Sequence, residues 1–196
     1  MTMKVTKRFF TLSMYSNVPN KTKSCLSRGF SLIEVIVTIA IVATLTAIAL
    51  PSLNDFLVKM RVDNEVNELQ RLLLTARNTA INNSQNVTLC PLNGNACSGA
   101  NDWTGRIGIV SADGVVKEKS AINSGEKLQF PFASLTYNPS GQLTNNNFGL
   151  FSYCPKNYET SARGVEVVLS GRSYLSSDNN NDGRDQQRNG DNISCN

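Results

Sequence analysis

From Phe30 to Leu50 the chain runs 21 residues with a single charge, Glu34. A helix of that length spans about 30 Å, the thickness of a bilayer's hydrocarbon core, so the run is a membrane-spanning candidate. A carboxylate in such a segment is costly unless it is paired, which marks Glu34 as a functional contact.

The flanks of the run set its orientation. Residues 1–29 carry Lys4, Lys7, Arg8, Lys21, Lys23 and Arg28 and no acid, whereas the rest has 13 basic against 15 acidic residues, near −2. The formal charge of +4 thus belongs to the N-terminal segment, and basic residues stay on the cytoplasmic side of a membrane. A cleaved secretory signal is the rival reading, but the run is longer than an h-region and carries a carboxylate near its start.

Helical periodicity resumes beyond Pro51, through Leu53, Phe56, Leu57 and Met60 to Val66, Leu69, Leu72, Leu73, Ala76 and Ala80. Pro51 is therefore expected to kink one long helix rather than end it. The interspersed Asp55, Lys59, Arg61, Asp63, Glu65, Glu68, Arg71 and Arg77 read as a solvated face. After Asn82 short β-branched and aromatic runs alternate with turn formers, which predicts strands over 86–90, 105–110, 115–119, 128–137, 148–154, 165–169 and 172–176. The end of the chain, from Ser176, has little to bury and reads as a polar loop.

The chain has no histidine. That removes imidazole bases, Ser-His and Cys-His pairs and histidine-containing zinc sites, and no Gly-x-Ser-x-Gly stretch takes their place, so no enzyme is expected. Of five cysteines, Cys25 precedes the apolar run, while Cys90, Cys97, Cys154 and Cys195 follow it. A membrane crossing would put those four where disulfides persist. No C-x-x-C spacing supports a thiolate metal site.

Ser27-Arg28-Gly29-Phe30-Ser31-Leu32-Ile33-Glu34 resembles the class III leader of type IV pilins and type II secretion pseudopilins. The resemblance implies that a prepilin peptidase cuts between Gly29 and Phe30 and N-methylates Phe30, and that Glu34, then the fifth residue, is an assembly contact. It also places a helix-kinking proline at Pro51. The implied organisation is a removed leader at 1–29, a transmembrane and filament-core helix at 30–57, and an exported helix plus β-rich head at 58–196. Met14 is an alternative start that would shorten the leader.

Downstream, TLCPLNGNAC, NDWTGRIGIV, YNPSG, FGLFSYC and VVLSGR resemble in order the minor-pilin family GspH/FimT. The implied fold is α+β and type IV pilin-like: a long N-terminal helix, its first half transmembrane, packed on an antiparallel β-rich head. The implied partners are the prepilin peptidase, other major and minor pilins and the inner membrane. The implied location is the bacterial inner membrane, crossed once with the N-terminus cytoplasmic and the head periplasmic, and then the pilus at the cell surface. A type II secretion pseudopilin shares the leader and the helix, while the cysteine-bearing head with its TLCP stretch leans towards the pilus branch.

Four exported thiols allow three pairings. Pro91, Asn93 and Gly94 are turn formers between Cys90 and Cys97, which favours that pair and leaves Cys154 with Cys195. Trp103 reads as core. The DNA-uptake branch of the family carries a Gly-Arg-x-Arg motif, matched here by Gly171-Arg172-Ser173-Tyr174 with the second arginine missing. Arg172 is thus the candidate for phosphate contact, with Arg163, Arg184 and Arg188 as supplements. Asp178, Asp182, Asp185 and Asp191 in the same tail would repel a polyanion. No cofactor is expected apart from one alternative: Asp178-x-Asn180-x-Asp182-Gly183 matches the opening of a calcium loop, with Asn189 where the bidentate glutamate usually stands.

Overall fold

The computed structural model describes residues 29–195, so the leader through Arg28, with Met14 and Cys25, lies outside the described residues. The chain divides into two compact units between Thr44 and Leu45. One helix, α1 (Leu32–Asn83), contributes to both.

Ser31 starts α1: its Oγ accepts the Glu34 N–H at 3.2 Å, in the Ser-x-x-Glu spacing of a capping box. The apolar half is exposed throughout, and it is long and apolar enough to cross a membrane. Thr38 and Thr44 turn their hydroxyls back onto the carbonyls of Val35 and Ile41, at 2.9 and 2.8 Å, so neither leaves a polar group unmet. The helix continues through Pro51, which removes one N–H from its ladder.

At its far end α1 closes in a Schellman arrangement. Ser84 adopts φ 51° and donates to the Ile81 carbonyl, while Gln85 donates to that of Ala80.

Among the described residues, nine strands form two antiparallel sheets. The first comprises β1 (Val87–Asn93), β2 (Ala96–Cys97), β3 (Ile107–Ser111), β4 (Gly114–Lys119) and β6 (Leu135–Tyr137), in the order β2-β1-β3-β4 with β6 also on β1. The second runs β5 (Lys127–Gln129), β7 (Gly149–Cys154), β8 (Arg163–Val167) and β9 (Ser173–Leu175). A short 3-10 turn, Glu159–Ser161, precedes β8.

One core joins the sheets to the second half of α1. The helix supplies Val58, Val62, Val66, Leu69, Leu72, Leu73, Ala76 and Ala80 at helical spacing, against Leu89, Ile109 and Leu135 of one sheet and Phe151, Val165 and Val167 of the other. Fully burying each of the larger side chains contributes about 2 kcal/mol. Trp103 is core: its ring meets Phe151 edge-on at 4.9 Å, and Nε1 donates to Asn101 Oδ1 and the Phe132 carbonyl.

The expected strand over 128–137 is in fact two strands in different sheets. Pro131 cannot donate to a ladder, and between β5 and β6 Phe130 stacks on Phe151 with ring centroids 3.9 Å apart.

The helix charges are not simply a solvated face either. Arg61 pairs with Glu126 at 3.2 Å, the buried Lys119 with Glu65 at 2.6 Å, and Asp63 with Arg163 at 2.5 Å. These residues tie α1 to both sheets, and they look like surface charges in sequence because their partners lie far along the chain.

Disulfides join Cys90 to Cys97 and Cys154 to Cys195, with Cα atoms 5.6 and 5.9 Å apart. The second fastens the C-terminal tail, whose Ile193 packs with Cys154 and Ala162 in a small separate cluster.

Candidate filament and ligand-contact sites

Gly29 and Phe30, where cleavage is expected, stand ahead of the helix cap. Both are non-helical and exposed, and Ser31 keeps α1 from beginning until Leu32. A junction outside regular structure has its backbone free for an enzyme to bind in extended form. Glu34, in the first turn, is exposed like the apolar residues around it. An anion there is favoured by the unpaired N–H groups of the helix start.

The four candidate arginines do not form one set. Arg163 bridges Asp63 and Asp185, the latter at 2.7 Å, and also donates to the Ser176 carbonyl. Burial disfavours its charge, yet the bonds to Asp63 and Asp185 outweigh this and raise its pKa. Arg163 is a fastener between α1, β8 and the tail. Arg188 lies over the Tyr174 ring at 4.2 Å and its backbone N–H donates to Glu166, so it covers the aromatic that stands in place of the second motif arginine. Arg184 is exposed on the acidic tail. Arg172 is exposed in a tight turn after β8, closed by Gly171 N–H to the Val168 carbonyl at 2.8 Å.

Gly171 itself has a structural duty. It adopts φ +75°, and a Cβ there would fall 1.9 Å from the Gly141 carbonyl oxygen, which Arg77 Nε also approaches at 2.9 Å. The motif glycine thus packs two turns together and sets where Arg172 projects.

The calcium candidates turn their oxygens to N–H groups. Asp178 accepts from the backbones of Asp182 and Gly183, at 3.2 and 2.9 Å. Asn180 Oδ1 accepts the Asp182 N–H, and Asp182 Oδ1 the Arg184 N–H. The Asn180 amide and the Arg184 N–H hold the Asp182 carboxyl below the usual carboxylate range. The buried side-chain amide of Gln186 fills the middle, and among the described residues no group of three His, Cys, Asp or Glu is placed to hold a metal ion. A donor at the centre does not fit a resident cation. Gln186 was missed in sequence because nothing local announces that a tail glutamine will be buried.

A long capped apolar helix with an antiparallel two-sheet head is the architecture of a pilin. The family model "Type II transport protein GspH" matches residues 65–172, and the model "Prokaryotic N-terminal methylation motif" matches 26–50. The chain belongs to the GspH family of minor pilins and pseudopilins. Its methylation motif implies processing by a prepilin peptidase and assembly with other pilins, and its apolar helix fits anchoring in the inner membrane.

In fold, the chain resembles the type IV minor pilin FimU of Pseudomonas aeruginosa at 20% identity and a TM-score of 0.51, over 62% of this chain and 92% of that one. The minor pseudopilin EpsH of the Vibrio cholerae type 2 secretion system is also similar, at 20% identity and a TM-score of 0.42, over 58% and 94%. No significant match was found among curated proteins.

Proposed function

We propose that this chain is a minor pilin that primes or caps a type IV pilus, works by helix packing, and carries out no reaction of its own. The observation that carries this reading is the apolar half of α1, exposed along its length and capped at Ser31 directly after the Gly29–Phe30 junction. Leaving so many large apolar side chains in water would cost about 2 kcal/mol each, so the segment requires lipid first and then neighbouring helices. Removal of the leader creates an amine at Phe30. Side-by-side helices then bring one subunit's Glu34 to its neighbour's terminal amine, pairing two charges that are each expensive in hydrocarbon.

A second reading, a DNA-contacting pilin for natural transformation, is favoured by one feature. Arg172 projects from a rigid turn packed on the loop around Gly141, and residues 127–158 contain no acid. An arginine so placed suits a phosphate contact, with affinity that falls as salt rises.

Surface pili should be counted on cells lacking this chain, with DNA uptake and type II secretion scored in the same cultures. Few or no pili supports priming. Normal pili with lost uptake moves the assignment to the Arg172 reading, and lost secretion alone moves it to a pseudopilin.

A further inference from the structure

Counting Asp178 as the first residue of a calcium-type loop, the third, fifth and seventh places are Asn180, Asp182 and the Arg184 carbonyl, the sixth is Gly183, and the ninth is Gln186. In a calcium loop, oxygens at those places converge on the cation. Here the oxygens of the third, fifth and seventh places face a side chain, while the Asp178 carboxylate accepts the Asp182 and Gly183 N–H groups. Gln186 Nε2 donates to the Arg184 carbonyl and to Asn192 Oδ1, both at 2.7 Å, and lies 3.1 Å from Asn180 Oδ1 and 3.4 Å from Asp182 Oδ1.

We propose that the Gln186 amide takes the place of the cation, so that this tail is a metal-loop framework folded around an internal N–H donor and needs no calcium. The spacing agrees. Oxygens around calcium stand at about 2.3–2.6 Å, whereas those around Nε2 stand at hydrogen-bond distances. The other end of the amide is also fixed, Oε1 accepting the Asn179 N–H at 2.7 Å, and the residue is only 3% exposed. Gln186 further joins both sides of the tail, bridging Ser177 on one side and Asn192 on the other. An amide brings two protons and no net charge, which suits a loop that already carries Arg184 and lacks the twelfth-place carboxylate.

The corollary is a latent site. Gln186→Glu keeps the shape but replaces the N–H donor by a carboxylate oxygen among four other oxygens, an arrangement that a bound calcium ion would relieve.

The test compares the full chain and its Gln186→Glu variant in detergent, each unfolded thermally with EDTA and with millimolar calcium chloride. The natural chain should give the same midpoint in both, within about 1 °C, while calcium should raise the midpoint of Gln186→Glu by about 5 °C. Adding Asp182→Asn to that variant should remove the response. A natural chain stabilised by calcium as strongly as the variant would overturn the proposal, since the amide would then be displaced by the ion. A Gln186→Glu chain indifferent to calcium, folded or unfolded, would overturn it too, as would a response that survives Asp182→Asn.

Discussion

Gly171 lies so close to Gly141 that a methyl group on its Cα would stand 1.9 Å from the Gly141 carbonyl oxygen. Backbone on both sides leaves neither turn room to yield, and φ +75° adds the left-handed strain that side chains resist. Gly171→Ala is therefore expected to lower stability by about 3 kcal/mol or more, read as a fall in the unfolding midpoint. Arg172→Ala should leave the midpoint unchanged, which makes it the proper probe of any DNA contact. Loss of uptake in the glycine variant would report only a damaged head.

Two tyrosines predict how the head behaves in alkali. Burial raises the pKa of Tyr137 and of Tyr153, whose hydroxyl donates to the Glu126 carboxylate. The unfolded chain ionises these phenols near pH 10, while the folded chain holds their protons, so stability is full below that pH and is lost as pH rises above it. Unfolding monitored from pH 8 to 12 should show this decline, and Tyr137→Phe should reduce it, leaving the share that Tyr153 contributes. Because the Tyr137 hydroxyl has no hydrogen-bond partner among the described residues, that substitution should be neutral or slightly stabilising at pH 7.

Ser84 occupies the left-handed position that ends α1, where glycine is the usual residue. Ser84→Gly should raise stability by about 0.5–1 kcal/mol, measured by chemical denaturation, since it relieves Cβ strain without removing a side-chain bond that holds the turn. A destabilised variant would mean that the serine hydroxyl matters to the cap.

Glu34→Ala should leave the chain in the membrane, because it makes the apolar run more apolar. It should instead keep the chain out of filaments, seen as a membrane fraction at natural level with little recovered from sheared pili. Normal incorporation would remove the role given to this carboxylate.

How much of this was legible in the residues follows from the range of each signal. The helix was plain because periodicity through Val66, Leu69, Leu72, Leu73 and Ala76 is local. Its exact ends, the Ser31 cap and the left-handed Ser84, emerge from the structure. The break at Pro131 was overlooked because apolar residues continue on both sides, and only the sheets reveal that Leu128 and Leu135 belong to different ladders. The ionic ties of α1 were not legible, since Asp63 meets Arg163 across 100 residues of sequence. The tail misled in a more specific way: its Asp-x-Asn-x-Asp-Gly spacing matches the opening of a calcium loop, but Asn180 and Asp182 face an amide four residues beyond Asp182.

The central claim is that the chain is cut after Gly29 and built into a filament. Mass spectrometry of this protein recovered from sheared surface filaments tests it most directly. The account predicts a mature chain beginning at N-methylated Phe30, lighter by four hydrogens for its two disulfides. A chain absent from the filaments, or one beginning beyond Pro51, would contradict it.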